Sequence, residues 1–275
     1  MRTTEVADVL VRIVERRRER LEADGVALGA GSPTTDTTAQ PEDTPGHEFV
    51  SALRDGRGTK IIAEVKLGSP KLGDIRDRVD PEDQARIYRD GGAAALSVVV
   101  EPDHFYGGYD VLERCRLASG LPAIAKDFVV SVEQFRWARD AGAGAVLLIA
   151  ALYEASELAD YAAAALEMGV VPLIETHSER DADVVAACEG RGITFDLIGV
   201  NNRDLRTFQV DLDHSVAMLP RLPENALKIA ESGIADRADI ERLEAVGFDG
   251  FLIGESLLLA EDPAHQLARL LGGRT

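Results

Sequence analysis

Of the thirty basic residues in this 275-residue chain only five are lysines: Lys60, Lys66, Lys71, Lys126 and Lys228. Lys66 closes the apolar run Ile61-Ile62-Ala63-Glu64-Val65, and Lys126 closes Leu121-Pro122-Ala123-Ile124-Ala125. An ammonium can be tuned to give up a proton, whereas a guanidinium cannot. A chain that otherwise chooses Arg, yet keeps Lys at two run ends, points to proton transfer. One such lysine would read as a residue reaching solvent; two at matching positions of a repeating pattern read as function.

Other polar residues crowd the same kind of position. Glu64, Ser69 and Pro70 surround the first lysine, and Ser97 and Glu101 follow the next run. Asp127 adjoins Lys126, and later runs end in Glu175-Thr176-His177, Asn201-Asn202-Arg203, Glu231-Ser232-Gly233 and Gly254-Glu255-Ser256. Charge at the end of a buried strand is costly unless it is paired, so these groups should pair with one another or with a ligand. His177 could line such a site, but a lone His at this position reads as a surface residue. Phe105, Tyr106 and Tyr109 follow the second run; packing is their default role, with one aromatic in a substrate pocket as the minority reading.

The elements that must carry these groups repeat regularly. Apolar runs rich in β-formers occupy 60–66, 95–100, 121–125, 145–149, 170–174, 196–200, 226–230 and 250–253. Helical patterns separate them: Pro81–Asp90, Tyr109–Ala118, Val132–Ala141, Ala155–Met168, Glu179–Cys188, Leu212–Leu219, Arg237–Val246 and Pro263–Leu271. Several end in Gly before the next strand, as helix C-termini prefer. Eight strands alternating with eight helices predict an α/β fold, a (β/α)8 TIM barrel spanning 47–275. A doubly wound open sheet is the rival. Ahead of the barrel, apolar spacing over 5–22 predicts an amphipathic helix, and the Gly-, Ser-, Thr- and Pro-rich stretch 29–46 a flexible connector. Residues 1–46 thus form an N-terminal helical extension, and a short helix is expected at His47–Arg54.

In such a barrel the active groups sit where the loops leave the C-terminal strand ends. Small residues after the seventh and eighth strands suit a phosphate, which favours close backbone N–H groups and a helix N-terminus. Ser232-Gly233 and Gly254-Glu255-Ser256 fit that pattern; two ordinary turns are the plainer alternative.

Composition excludes several classes. A net charge of −18 and a pI near 4.7 argue against a nucleic-acid partner, which would call for a basic stripe. Cys115 and Cys188 lie in helical patterns without metal-ligand spacing and read as buried thiols in a reducing compartment. There is no dinucleotide or P-loop glycine motif, and the five histidines show no metal spacing. Without a signal-like apolar N-terminus or a run near the roughly 20 residues of a membrane span, a cytoplasmic protein with no membrane partner is expected.

Together, Ala63-Glu64-Val65-Lys66 with Ser69-Pro70, Ser97 with Glu101, Lys126-Asp127-Phe128, Glu175, Gly199-Val200-Asn201-Asn202-Arg203, Ala230-Glu231-Ser232-Gly233 and Ile253-Gly254-Glu255-Ser256 resemble the indole-3-glycerol phosphate synthase family. The resemblance runs collinearly over about 47–272, and that family also carries a helical segment before its barrel. It implies ring closure, decarboxylation and dehydration of 1-(2-carboxyphenylamino)-1-deoxyribulose 5-phosphate, in tryptophan biosynthesis, without metal or organic cofactor. Lys126 is then the general acid, and Lys66 pairs with the anthranilate carboxylate. Glu175 is the base or charge stabiliser of dehydration. Glu64 and Glu231 hold the ammonium groups and sugar hydroxyls, and Asn201 binds a hydroxyl. Arg203 helps with the carboxylate or buttresses the mouth. The phosphate falls to Ser232, Gly233, Gly254 and Glu255, with a first-loop contact from Ser69; Phe105 lines the pocket. Beyond the phosphorylated substrate, the resemblance allows weak association with other tryptophan-pathway enzymes.

The chain departs from the family pattern in the first loop, where Leu67 replaces a basic residue and Lys71 a Ser. Rivals on the same scaffold are a sugar-phosphate isomerase and a Schiff-base aldolase; outside catalysis, a binding barrel. The isomerase would use a strand-end Cys, and both cysteines here fall in helices.

Overall fold

Runs of Val, Ile, Leu and Ala without polar alternation suit strands covered on both faces. The computed structural model describes residues 8–30, 44–56 and 58–273, and in it each of these runs becomes a parallel strand. They are β1 (Ile61–Val65), β2 (Ala95–Val99), β3 (Ala123–Lys126), β4 (Ala145–Ile149), β5 (Val171–Thr176), β6 (Leu197–Asn201), β7 (Leu227–Glu231) and β8 (Gly250–Ile253). Ile62 pairs with Ala95 of β2 and Ile61 with Phe251 of β8, so the sheet closes in chain order. That closure excludes the open sheet and makes the fold a (β/α)8 barrel.

Ahead of the barrel lie α1 (Asp8–Ala23) and α2 (Pro45–Arg54). Its own helices are α3 (Pro81–Asp90), α4 (Tyr109–Ser119), α5 (Glu133–Asp140), α6 (Ala155–Glu167), α7 (Glu179–Glu189), α8 (Asp213–Met218), α9 (Arg237–Val246), the short α10 (Glu255–Leu258) and α11 (Pro263–Leu270). Their starts are written locally. Asp80 and Asp262 each cap a helix whose first residue is Pro, Ser178 caps α7, and Asp236 with Asp239 forms a reciprocal capping box on α9.

The expected bounds shift in places. The helix anticipated at His47 begins at Pro45, because Thr44 caps it and proline suits the first turn. It takes the last residues of the anticipated connector, whose stretch 31–43 lies outside the described residues, as do 1–7. Sequence periodicity did not announce α10 or the small hairpin pairing Gly68–Ser69 with Gly73–Asp74 in the first loop. Both are too short to show a period.

The two ends of the barrel differ. At the N-terminal end α2 acts as a plug: Phe49 is fully buried, and the Gly46 N–H donates to Gly169 O just before β5. At the opposite end lies α1, its Leu10, Ile13, Val14 and Leu21 buried. Cys115 and Cys188 are buried free thiols, and burial pushes the Cys115 thiol up to about 12. Among the described residues no helix is long and apolar enough to cross a membrane.

Candidate active site

Side chains inside an eight-stranded barrel stack in layers, each drawn from alternate strands. The uppermost layer here is charged. Glu64 comes from β1, Lys126 from β3, Glu175 from β5 and Glu231 from β7. The Lys126 ammonium lies 3.0 Å from Glu231 Oε2, 3.7 Å from Glu64 Oε2 and 3.8 Å from Glu175 Oε2. Glu64 Oε1 is in turn 2.6 Å from Lys66 Nζ. The even strands make room: a Cβ on Gly199 would collide with Glu231 Oε1, and one on Gly254 with the Glu64 carboxylate.

Burial and charge set the protonation of this layer. Burial alone would strip the Lys126 proton, but Glu231, Glu64 and Glu175 outweigh it and hold the ammonium charged. Burial likewise opposes ionisation of Glu64, and Lys66 and Lys126 overcome it, keeping its pKa below the ordinary value. Glu231 goes the other way. Burial first and the neighbouring Glu175 second push it up to about 8 against the pull of Lys126. Its Oε1 is buried without a hydrogen-bond partner. The Lys126 cation thus faces Glu64, held ionised, and Glu231, which favours its proton, with Glu175 as the third carboxylate of the ring.

Above the layer opens a cavity of about 250 Å³. Glu64, Lys66, Lys126, Glu175 and Asn201 line it, as do Ser69, Phe105, Arg203, Ser232 and Glu255. Glu231 sits beneath, only 1% exposed, while Gly233 and Gly254 lie outside the lining. Phe105 is set by Glu101, a fully buried carboxylate that accepts the backbone N–H groups of Asp103, His104 and Phe105 at 2.7–3.0 Å. Asn201 Oδ1 accepts the Arg203 N–H at 3.0 Å.

At the rim, Glu255 bridges two cations, with Oε1 2.8 Å from Lys71 Nζ and Oε2 2.7 Å from Arg203 Nη2. The first of these hydrogen bonds is the main cause of its depressed pKa. Lys71 therefore has a partner that ties the first loop to the eighth, and Leu67, the other departure, is buried in the core. Among the described non-glycine residues, positive φ occurs at Tyr106, Phe208 and Ser232, all in loops on this face. Ser232 and Gly233 are consecutive left-handed residues ending β7. Strain of this kind persists where a site over-determines the backbone.

Two contributors escaped sequence reasoning. The first is α1: Val9, Leu10 and Ile13 form part of the cavity wall. One turn on, the Arg17 guanidinium grips Asp127 in a two-pronged ion pair, Nε–Oδ1 at 3.1 Å and Nη2–Oδ2 at 2.5 Å, with both side chains almost wholly buried. Tyr109 and Gln134 complete Asp127, and Arg20 reaches Asp103 at 2.9 Å. The signal was there, since Arg17 falls on the apolar face with Leu10, Ile13 and Leu21, where a charge demands a buried partner. The second is His177. Expected at the surface, its side chain is 10% exposed and its Nε2 lies 2.7 Å from Glu175 Oε1.

Residues 10–270 match the family model described as indole-3-glycerol phosphate synthase. The chain belongs to the indole-3-glycerol phosphate synthase family. The match begins inside α1, so the helix over the mouth is part of the family's span. Similar solved structures include 3-hexulose-6-phosphate synthase from Salmonella typhimurium, 15% identical, with a TM-score of 0.60 over 78% of this chain and 97% of that one. Another is thiamine phosphate pyrophosphorylase from Pyrococcus furiosus, 14% identical, with a TM-score of 0.57 over 81% and 95%. At such identities the likeness is one of fold, and function has to be argued from the synthase family and the site.

Proposed function

We propose that this chain is an indole-3-glycerol phosphate synthase, a carboxy-lyase that converts 1-(2-carboxyphenylamino)-1-deoxyribulose 5-phosphate to indole-3-glycerol phosphate. The observation that carries the reading is Lys126, an ammonium held charged among three carboxylates at the floor of a mouth that belongs to this family. As the carboxylate-bearing ring carbon attacks the ribulose C2 carbonyl, negative charge grows on that oxygen, and Lys126 donates the proton it needs. Loss of CO2 restores the aromatic ring. Glu175 then takes a proton from the substrate while Lys66, in the same cavity, gives one to the former carbonyl oxygen, which leaves as water.

The remaining groups bind and orient. Lys66, with Arg203 at the rim, takes the substrate carboxylate, while Glu64 holds Lys66 and flanks Lys126. Glu231 buttresses Lys126 from below, and Asn201 meets a hydroxyl. Phe105, Leu10 and Ile13 supply an apolar wall of the kind an aryl ring requires. The phosphate goes to the backbone of Ser232-Gly233 and Gly254-Glu255, with Ser69 on the first loop. The Glu255 carboxylate then has to leave Lys71 and Arg203, since two anions cannot share that corner. A Schiff-base aldolase fits less well, because its lysine must be a free amine and this one is kept protonated.

Adding purified protein to the carboxyphenylamino-deoxyribulose phosphate should produce indole-3-glycerol phosphate fluorescence; a folded preparation that gives none refutes the assignment. Lys126→Met should lower kcat by ~10²–10⁴-fold with KM largely kept. Near-normal kcat in that variant would mean the acid lies elsewhere.

A further inference from the structure

Glu175 is bracketed on both oxygens. Lys126 lies 3.8 Å from Oε2, and His177 Nε2 lies 2.7 Å from Oε1. Successive strand residues point to opposite faces, so residues two apart share one. Thr176 turns outward, its hydroxyl donating to Gly199 O at 2.8 Å, and His177 comes back over Glu175. Its backbone is fixed there. The His177 N–H donates to Asp181 Oδ2 at 2.8 Å, and Asp181 stands in the first turn of α7, which Ser178 caps.

The ring itself is unfinished. The 2.7 Å contact is off-axis, and neither ring nitrogen has an aligned hydrogen bond among the described residues. A buried imidazole left so has a strong incentive to find a partner. Its nearest acceptor is the carboxylate that the proposed mechanism uses as a base. Catalytic hydrogen bonds are often loose in the free enzyme and tighten when substrate enters. Burial first lowers the pKa of this ring, so it is neutral near pH 7 and carries a single N–H.

We infer that His177 is a positioning residue for Glu175: its Nε2–H holds Oε1 and leaves Oε2 free to accept the substrate proton. The inference rests on the synthase reading for its effect on rate, but not for the contact itself. The imidazole keeps its proton throughout, and the proton taken from substrate resides on Glu175 Oε2.

Three variants and one spectroscopic measurement test it. His177→Leu should lose about 10²-fold in kcat, the order expected when a reacting group is slightly misplaced, with KM near wild type. His177→Gln, whose amide can present an N–H to the same oxygen, should recover most of that loss. His177→Leu turning over at the wild-type rate would overturn the inference, as would His177→Gln being as slow as His177→Leu. Nitrogen NMR of histidine-labelled wild type, with the His177 signals assigned from their absence in His177→Gln, should show the Nε2–H tautomer. In Glu175→Leu that preference should disappear. An Nδ1–H tautomer in wild type, or one unmoved in Glu175→Leu, sinks the inference even if a His177 variant fails to fold. If the wild type makes no indole-3-glycerol phosphate, the synthase reading fails while the tautomer still decides whether His177 serves Glu175.

Discussion

Among the carboxylates around Lys126, Glu231 is the one that burial pushes far above the ordinary carboxylate range. Its folded pKa lies near 8, against an ordinary 4.5. Between those values the native state binds a proton that the unfolded chain has released. Its contribution to stability is therefore complete below pH 4.5 and is lost as pH rises through 8. Glu231→Gln removes that dependence. Denaturant titrations at several pH values should show the stability of wild type relative to this variant falling as pH rises across the window. A constant gap would mean that Glu231 is ionised in the fold throughout. The presence of Glu231 was legible, since a Glu at the end of an apolar run invites suspicion. Its protonation was not: that depends first on burial beneath the cavity and then on Glu175 arriving from another strand, which no local pattern encodes.

At the scale of elements, α1 carries the most information that periodicity missed. The apolar spacing of Leu10, Ile13, Val14 and Leu21 predicts a helix and an apolar face, but not which surface that face covers. Arg17 decides it through Asp127, the neighbour of Lys126. Removing one partner of a buried ion pair leaves the other charge uncompensated. Arg17→Met should therefore cost about 3 kcal/mol, the lower part of that range, because Tyr109 and Gln134 still serve Asp127. The loss should appear as faster amide exchange across Asp8–Ala23 and a higher KM, with the barrel strands unchanged. Uniform exchange over the whole chain would instead make α1 part of the folding core. Strand ends were readable for a simple reason: each run stops where its polar residue begins. The hairpin of the first loop and α10 are too short for any period, and the reach of Lys71 to Glu255 joins residues from opposite ends of the sequence.

On the scale of the whole molecule, the eight-fold alternation made the barrel legible, and closure needed only the pairing of Ile61 with Phe251 to be seen. The net charge of −18 has its own consequence. Exposed Arg–carboxylate pairs such as Arg16–Glu19 and Arg114–Glu82 are worth little each. The unpaired acidic excess repels itself, and salt screens it within a Debye length of about 10 Å at 0.1 M. Raising NaCl from about 0.01 M to about 1 M should therefore raise Tm. A fall would mean that surface ion pairs outweigh the repulsion.

With Glu231 and Glu64 where they stand, a side chain on Gly199 or Gly254 would have to push one of these acids out of the ring around Lys126. Inheritance at these positions is thus tied to the acids. A related barrel that lost Glu231 or Glu64 would have room for a side chain at the adjoining glycine. The sign that a descendant barrel had changed trade would be a methyl group or more where these two residues have none.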